Sequence, residues 1–291
     1  MKVGFLLRGM YRVDPAVIKD LAQGAESLGC ASIWANEHVA VPGHFASRFP
    51  HSSDGKSPLR VDSPLCDAIA TLAFISGLAS RIRVGTSVIP LTTRGPVLLA
   101  KQAAAVDLLS GGRLELGIGT GWLLEEAALL GVPADRRLAR MAECIDIMRL
   151  AWGSPSFSYD GELHTIPEAG ANPLPPQGSS LPLWIGGASD RIVRLAATQH
   201  AGIILSGNEP SEPRLVRRIT ELAGKDGSAV PEIIATVDLD AQAPERAVAE
   251  LAAAGATQLM AASRAPAQHV LSRLARFMRS DMLAGHAGVR G

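Results

Sequence analysis

A (β/α)8 barrel is the fold predicted for this 291-residue chain, and three observations predict it. Apolar runs of strand length alternate eight times with segments whose apolar residues recur at helical spacing, and no charged linker or composition break interrupts them. The stretch from Arg81 to Trp122 reads as strand, helix, strand. Such a right-handed βαβ unit makes both strands parallel and opens their C-terminal ends on one face. Hydrophobic residues are 47% of the chain but aromatics only 4%, so the core is built from Ala, Val, Leu and Ile, as where helices cover a parallel sheet. One domain is expected over 1–291, with insertions at 39–63 and, after the fourth helix, at 153–181.

Val3 to Leu7 is the first strand. Asp14-Pro15 supplies an N-cap and a first-turn proline for a helix running to about Leu28, and Gly29 stops it. Ser32 to Asn36 is the second strand and leads into Asn36-Glu37-His38. Residues 39–63 lack periodicity and are expected to form a functional loop or lid. Ser63-Pro64 opens a helix through Leu78; Arg83 to Val88, Gly95 to Leu109 and Leu114 to Ile118 are strand, helix and strand, and Arg136 to Trp152 is helical. Asp160-Gly161 marks a small hairpin inside the proline-rich insertion. Four further pairs follow: Leu183–Ile185 with Ser189–Gln199, Ile203–Leu205 with Arg214–Leu222, Glu232–Leu239 with Pro244–Ala254, and Gln258–Ala262 with Pro266–Arg279.

Twenty-eight basic and 28 acidic residues cancel, so neither nucleic acid nor a membrane surface is expected as a partner. The three cysteines, Cys30, Cys66 and Cys144, are odd in number and share no C-x-x-C spacing, which suits reduced thiols better than a disulfide frame or a zinc cluster. The N-terminal apolar run is too short for a signal peptide, and no run reaches membrane-spanning length. A cytoplasmic protein is the expectation.

In such a barrel, chemistry gathers at the C-terminal strand ends. There stand Thr86, Ser87 and Val88, and then Gly119, Thr120, Gly121 and Trp122, small or hydroxylated residues beside a flat apolar one, suited to a flat ligand. The fifth strand closes with Ile185, Gly186, Gly187 and Ala188, and Ser189-Asp190 can cap the next helix, so its N–H groups offer an anion site; an ordinary tight turn explains the same residues equally well. His38 is either catalytic or a rim histidine. His44 and His51 follow at irregular spacing and form no metal pair. Glu115 to Gly121 mimics the glycine-rich motif of an S-adenosylmethionine-dependent methyltransferase, but three strand–helix units precede it, which argues against that reading. A G-x-G-x-x-G fingerprint fails at Trp122 and Leu124, and no Walker motif occurs. Arg136, Arg137, Arg140 and Arg149 read as a solvated helix face with Glu143 as partner, and Ser110 to Arg113 as a helix stop. No nucleophile stands out, which points to chemistry brought by a cofactor.

Three ordered segments, Gly29 to His38 (GCASIWANEH), Arg83 to Pro90 (RVGTSVIP) and Leu108 to Trp122 (LLSGGRLELGIGTGW), together with Pro182 to Gly187 (PLWIGG), closely resemble the bacterial luciferase-like monooxygenase superfamily, nearest to its deazaflavin-dependent oxidoreductases. The resemblance covers roughly residues 1–205. It implies a barrel holding coenzyme F420, or alternatively FMN, at its C-terminal mouth. It implies a non-proline cis peptide at Ser87-Val88 behind the ring, phosphate contacts at Thr120, Gly121, Gly186 and Gly187, and His38 beside the reactive face. Glu37 stands where several of these enzymes carry an acid before the histidine, so catalysis is expected of His38 and Glu37. Cofactor binding is expected of Asn36, Thr86, Ser87, Val88, Gly119, Thr120, Gly121, Trp122, Ile185, Gly186, Gly187 and Ala188. Sugar-phosphate dehydrogenases of the group carry a glutamate where Trp122 stands, which argues against that reaction. The resemblance further implies a small organic substrate, a homodimer and, if FMN is used with oxygen, a separate flavin reductase. A flavin-binding accessory protein without activity is the non-enzymatic alternative.

Overall fold

The computed structural model describes residues 1–11, 13–52, 54–205, 211–225, 227 and 229–280. β1 (Lys2–Leu7) is buried from Val3 onward. α1 (Pro15–Ser27) starts where Asp14 accepts the Ala16 N–H at 2.8 Å. β2 (Ser32–Ala35) precedes the long loop and α2 (Ala68–Leu78). The helix expected from Ser63-Pro64 begins later because Asp67 is the residue that caps it, accepting from the Ala70 N–H. β3 (Arg83–Thr86) and β4 (Ile89–Pro90) are one strand interrupted at Ser87-Val88. α3 (Pro96–Ser110) ends at Gly111 in the left-handed region, and β5 (Leu114–Gly119) follows.

α4 (Leu124–Leu129) is a short helix that the sequence reading passed over, and α5 (Arg137–Gly153) leads to the hairpin of β6 (Phe157–Asp160) and β7 (Thr165–Ala169). The remaining repeats are β8 (Leu183–Gly186), α6 (Asp190–Thr198), β9 (Gly202–Ile204), α7 (Pro213–Lys225), β10 (Ile233–Asp238), α8 (Pro244–Ala254), β11 (Gln258–Ala262) and α9 (Ala267–Met278). β3, β2, β1, β11, β10, β9, β8 and β5 pair in that order and all in parallel, and β3 returns to β5. The sheet is therefore closed, a (β/α)8 barrel as the alternation predicts.

Two tryptophans plug the interior. Trp34 and Trp184 meet edge to face at 6.2 Å, packed among Leu6, Ile204, Ile234 and Met260. Gly85 and Gly202 make room for them: a Cβ at either position would come within 2.5 Å of a tryptophan ring. Both indole N–H groups are satisfied, Trp34 by Ser32 Oγ at 2.8 Å and Trp184 by Glu115 Oε2 at 2.9 Å, and Glu115 also pairs with Arg83. Glu115 thus serves the barrel core. With the interior filled, open space remains at the strand ends.

Glu143, expected as a surface partner for arginines, instead anchors the hairpin. It accepts from the Glu162 and Leu163 N–H groups and lies 2.8 Å from His164 Nδ1. Arg136 pairs with Glu162, and Arg149 donates to the Ser179 and Leu181 carbonyls. The arginine row is therefore not a plain solvated face. Among the described residues no helix is long and apolar enough to cross a membrane.

Candidate active site

The interruption between β3 and β4 shapes the mouth of the barrel. The Thr86 hydroxyl donates to Gly117 O at 2.7 Å and accepts from Gly117 N at 2.8 Å, so a side chain replaces the main chain in the ladder. Gly117 has to lack a Cβ, since one would sit 1.9 Å from Thr86 O. The Ser87-Val88 peptide is cis, and the chain then rejoins β5 through Ile89. This detour sets Val88 against the cluster that fills the barrel interior. A Cβ on Gly119 or Gly186 would lie 2.8 or 3.1 Å from the Val88 methyls, so those two glycines are required by Val88 itself, not only by an approaching ligand.

Above Val88 lies a cavity of about 510 Å3. β2 delivers Asn36, Glu37 and His38 to its wall, and the interruption delivers Ser87 and Val88. The end of β5 adds Gly119, Thr120, Gly121 and Trp122, and the end of β8 adds Gly186 and Gly187. Gly121 and Gly187 have φ of +75° and +125°, which glycine adopts readily. Three expected contacts are not on this wall. Thr86 is fully buried with its hydroxyl committed to Gly117; strand alternation turns Ile185 outward between Trp184 and Gly186; Ala188 packs against the barrel–helix core.

His38 has a partner that the sequence reading missed. Its Nδ1 lies 2.8 Å from Oε2 of Glu126 on α4, and the other carboxylate oxygen accepts from the Val39 and Ala40 N–H groups at 2.6 and 3.1 Å. Glu126 is 2% exposed, so its charge is held by these three donors rather than by water. With Nδ1–H given to the carboxylate, Nε2 is the ring atom left to take or deliver a proton. Glu37, expected beside the histidine in the reaction centre, is engaged elsewhere. One oxygen accepts the Ala68 N–H at the start of α2, and the other faces Arg94 at 3.5 Å. The acid in contact with the imidazole is therefore Glu126, not Glu37.

The neighbouring Glu125 accepts from the Ala46 and Ser47 N–H groups at 2.7 and 3.2 Å. The first turn of α4 thus stitches down the long β2–α2 loop at two places. That loop supplies Arg48, Phe49 and His51 to the cavity. Trp122 meets His38, Phe45 and Phe49 edge to face at 5.7, 5.9 and 5.2 Å, an apolar wall beside the imidazole. Arg137 reaches the cavity from α5 and donates to Gly121 O. An acidic pair after Trp122, at the start of a helix, was a legible signal for α4; nothing in the sequence signalled Arg48 or Arg137. Among the described residues no three His, Cys, Asp or Glu side chains group to hold a metal ion.

The donor set fits an aromatic ring carrying an anionic tail. Val88 and Trp122 offer flat apolar contact, while Arg48, Arg137 and the glycine backbones offer cationic and N–H donors. The chain is 33% identical over 221 residues to a Mycobacterium tuberculosis protein of uncharacterised function, covering 76% of each. It is 25% identical over 246 residues to the F420-dependent glucose-6-phosphate dehydrogenase of Amycolatopsis mediterranei, covering 82% of this chain and 68% of that one. Its fold superposes on the crystal structure of the monooxygenase RslO1 from Streptomyces bottropensis with a TM-score of 0.72 at 21% identity, covering 99% of this chain and 100% of that one. The luciferase-like monooxygenase model matches residues 5–289, so a closed barrel with this interrupted third strand is carried by a chain that belongs to the luciferase-like monooxygenase family.

Proposed function

We propose that this chain is an oxidoreductase that moves a hydride between coenzyme F420 and a small organic substrate, with His38 handling the accompanying proton. The observation that carries this reading is the His38–Glu126 pair set at the edge of a cavity with an apolar floor and cationic walls. Val88 would back the ring, and Ser87, Asn36 and Trp122 would border it. Arg48, Arg137 and the backbone at Gly119 to Gly121 and Gly186-Gly187 would receive the phosphate and the acidic tail. When bound, the deazaflavin supplies a two-electron hydride acceptor or donor. His38 Nε2 takes the proton that an alcohol releases when its carbon loses hydride, or returns one in the reverse direction. Glu126 holds the ring and offsets the charge it then carries. Support also comes from the F420-dependent relative at 25% identity.

A second reading keeps the cavity and uses FMN with oxygen, supplied with reduced flavin by a separate reductase; the family description and the monooxygenase fold neighbour favour it. Titration of the purified chain with each cofactor, followed by absorbance and fluorescence, separates them. Binding of the deazaflavin with no FMN uptake is the expected result. Tight FMN binding with flavin-dependent oxygen consumption, and no response to the deazaflavin, overturns it. Three unpaired cysteines agree with a reducing compartment, and we take the chain as a cytoplasmic homodimer.

A further inference from the structure

The cavity continues past His38 into a second lobe of about 280 Å3. Asn36, His38 and Phe49 border both lobes, so the imidazole stands at their junction. The second lobe is walled largely by carbon. Met10 comes from the turn after β1, and Leu59 and Leu65 come from the β2–α2 loop with Pro58 and Pro64 beside them.

The polar groups on this lobe already have partners within the chain. Ser63 Oγ accepts the Arg60 N–H at 2.8 Å. Arg8 interacts with the Asp240 carboxylate, and Arg264 and Asn36 are engaged as well. No described acidic side chain lines the lobe. The loop that carries the two leucines is itself held in shape: the Leu59 N–H donates to Ser57 Oγ at 3.1 Å, and the Ser63 N–H donates to Arg60 O at 2.9 Å. Leu59 and Leu65 are both half-buried, so they stand as a fixed wall whose side chains tolerate exchange.

We propose that the second lobe takes the hydrocarbon body of the substrate, a neutral, compact alcohol or its ketone, and that Leu59 and Leu65 set the largest body accepted. The hydroxyl or carbonyl lies at His38, and the rest of the molecule meets Met10, Phe49 and the two leucines. An apolar cavity of roughly 150 Å3 is enough to take up benzene, so this lobe has room for a six-membered ring with a side chain of about three or four carbons. A polyol of the same size would exchange water for carbon at most of its hydroxyls, which costs affinity at each one left unpaired. This assignment rests on the proposed function, with the cofactor in the larger lobe and His38 at the reacting carbon.

The test is calorimetric titration of the full chain with cyclohexanol and a series of 4-alkylcyclohexanols of growing chain length. The chain is saturated with reduced coenzyme F420, which accepts no hydride from them. Affinity is expected to rise about three- to fourfold per added methylene up to a side chain of about three or four carbons, and then to level off or fall. myo-Inositol is expected to bind about 100-fold or more below 4-propylcyclohexanol. Leu59→Ala and Leu65→Ala should each move the limit up by about one or two carbons, and Leu65→Phe should move it down, with melting temperature and cofactor affinity unchanged. No gain along the series, a limit that none of the three substitutions moves, or inositol binding as tightly as the alkyl alcohols overturns the proposal. The same titrations without cofactor, read beside the cofactor's own affinity, separate the two assignments. Absent deazaflavin binding with the limit and its response to the leucines intact removes the cofactor and keeps the lobe, whereas a bound cofactor with a flat series removes the lobe.

Discussion

Nδ1 of His38 and Oε2 of Glu126 lie 2.8 Å apart, joining the end of the second barrel strand to a helix 88 residues later. The remaining oxygen of Glu126 holds two N–H groups of the loop that follows His38. Glu126→Gln keeps an oxygen for those amides but removes the anion beside the imidazole. Turnover is expected to fall about 10–100-fold with KM and cofactor affinity within about threefold, whereas His38→Ala costs about 100-fold or more. A Glu126→Gln enzyme with full kcat denies the carboxylate its positioning role.

Thr86 and Gly117 form the joint on which the interrupted strand turns. Thr86→Val keeps the shape and removes both hydroxyl bonds, leaving a buried N–H and a buried carbonyl at Gly117 unpaired at about 1–3 kcal/mol each. A melting temperature lower by about 5–10 °C is expected, and Thr86→Ser should recover most of it. Gly117→Ala is expected to be worse, because its Cβ meets a backbone oxygen that cannot step aside. Gly77→Ala, where nothing lies within 4 Å, is the control and should be neutral or slightly stabilising. Equal effects at the two glycines contradict this account.

Glu125 makes the grip on the loop pH-dependent. Burial opposes its charge, but hydrogen bonds from the Ser47 side chain and the Ala46 and Ser47 N–H groups outweigh burial and hold its pKa below the ordinary 4.5. A carboxylate depressed in the folded state stabilises above its unfolded pKa, and that contribution disappears as pH falls through the lower folded value. Hydrogen exchange at Ala46 and Ser47 should therefore be slow at neutral pH and speed up, relative to the rest of the chain, below about pH 4. In Glu125→Ala it should be fast throughout. Exchange at these amides that does not change with the substitution removes the stitch.

What was legible in the sequence was what is local. Short continuous apolar runs and helical apolar spacing located all eight strand–helix repeats, and the glycines after Ile118 and Ile185 mark strand ends on a face where function gathers. His38 could be named because it stands three residues beyond the end of β2. Glu126, Arg48 and Arg137 could not be placed, because only tertiary closure of α4, α5 and the long loop brings them to the histidine. Glu37 looked catalytic by adjacency, yet its carboxylate turns to the start of α2. Thr86 looked like a ligand contact because a hydroxyl at a strand end is ambiguous until its partner, Gly117, is known.

α2 and α3 pack on each other and are apolar nearly all round, with Phe74 and Leu98 exposed, and Leu108 and Leu109 exposed at the end of α3. A helix apolar on every side is stable in water only when its outer side is also covered. The expected outcome is a dimer by light scattering, reduced to a monomer by Phe74→Glu with Leu98→Glu without loss of the fold. A monomeric mass for the unsubstituted chain, or a dimeric mass that the two substitutions leave unchanged, removes this face as a dimer contact.

Trp122 decides what approaches His38. Its ring is bracketed by His38, Phe45 and Phe49, so at this position the wall beside the imidazole is aromatic, and the Trp122 ring itself brings no hydrogen-bond acceptor for a sugar hydroxyl. A hydroxyl set against that ring would be left unpaired, and such a mismatch costs far more selectivity than a missing methylene does. Glucose 6-phosphate is therefore expected to give no turnover, even though a relative at 25% identity is named for that reaction. Trp122→Ala opens the wall without adding an acceptor: KM for an apolar substrate should rise about tenfold or more, and glucose 6-phosphate should still fail. Trp122→Phe, which keeps a ring against Phe49, should retain most of the activity. Turnover of glucose 6-phosphate by the unmodified chain is the result that removes Trp122 as the selecting residue.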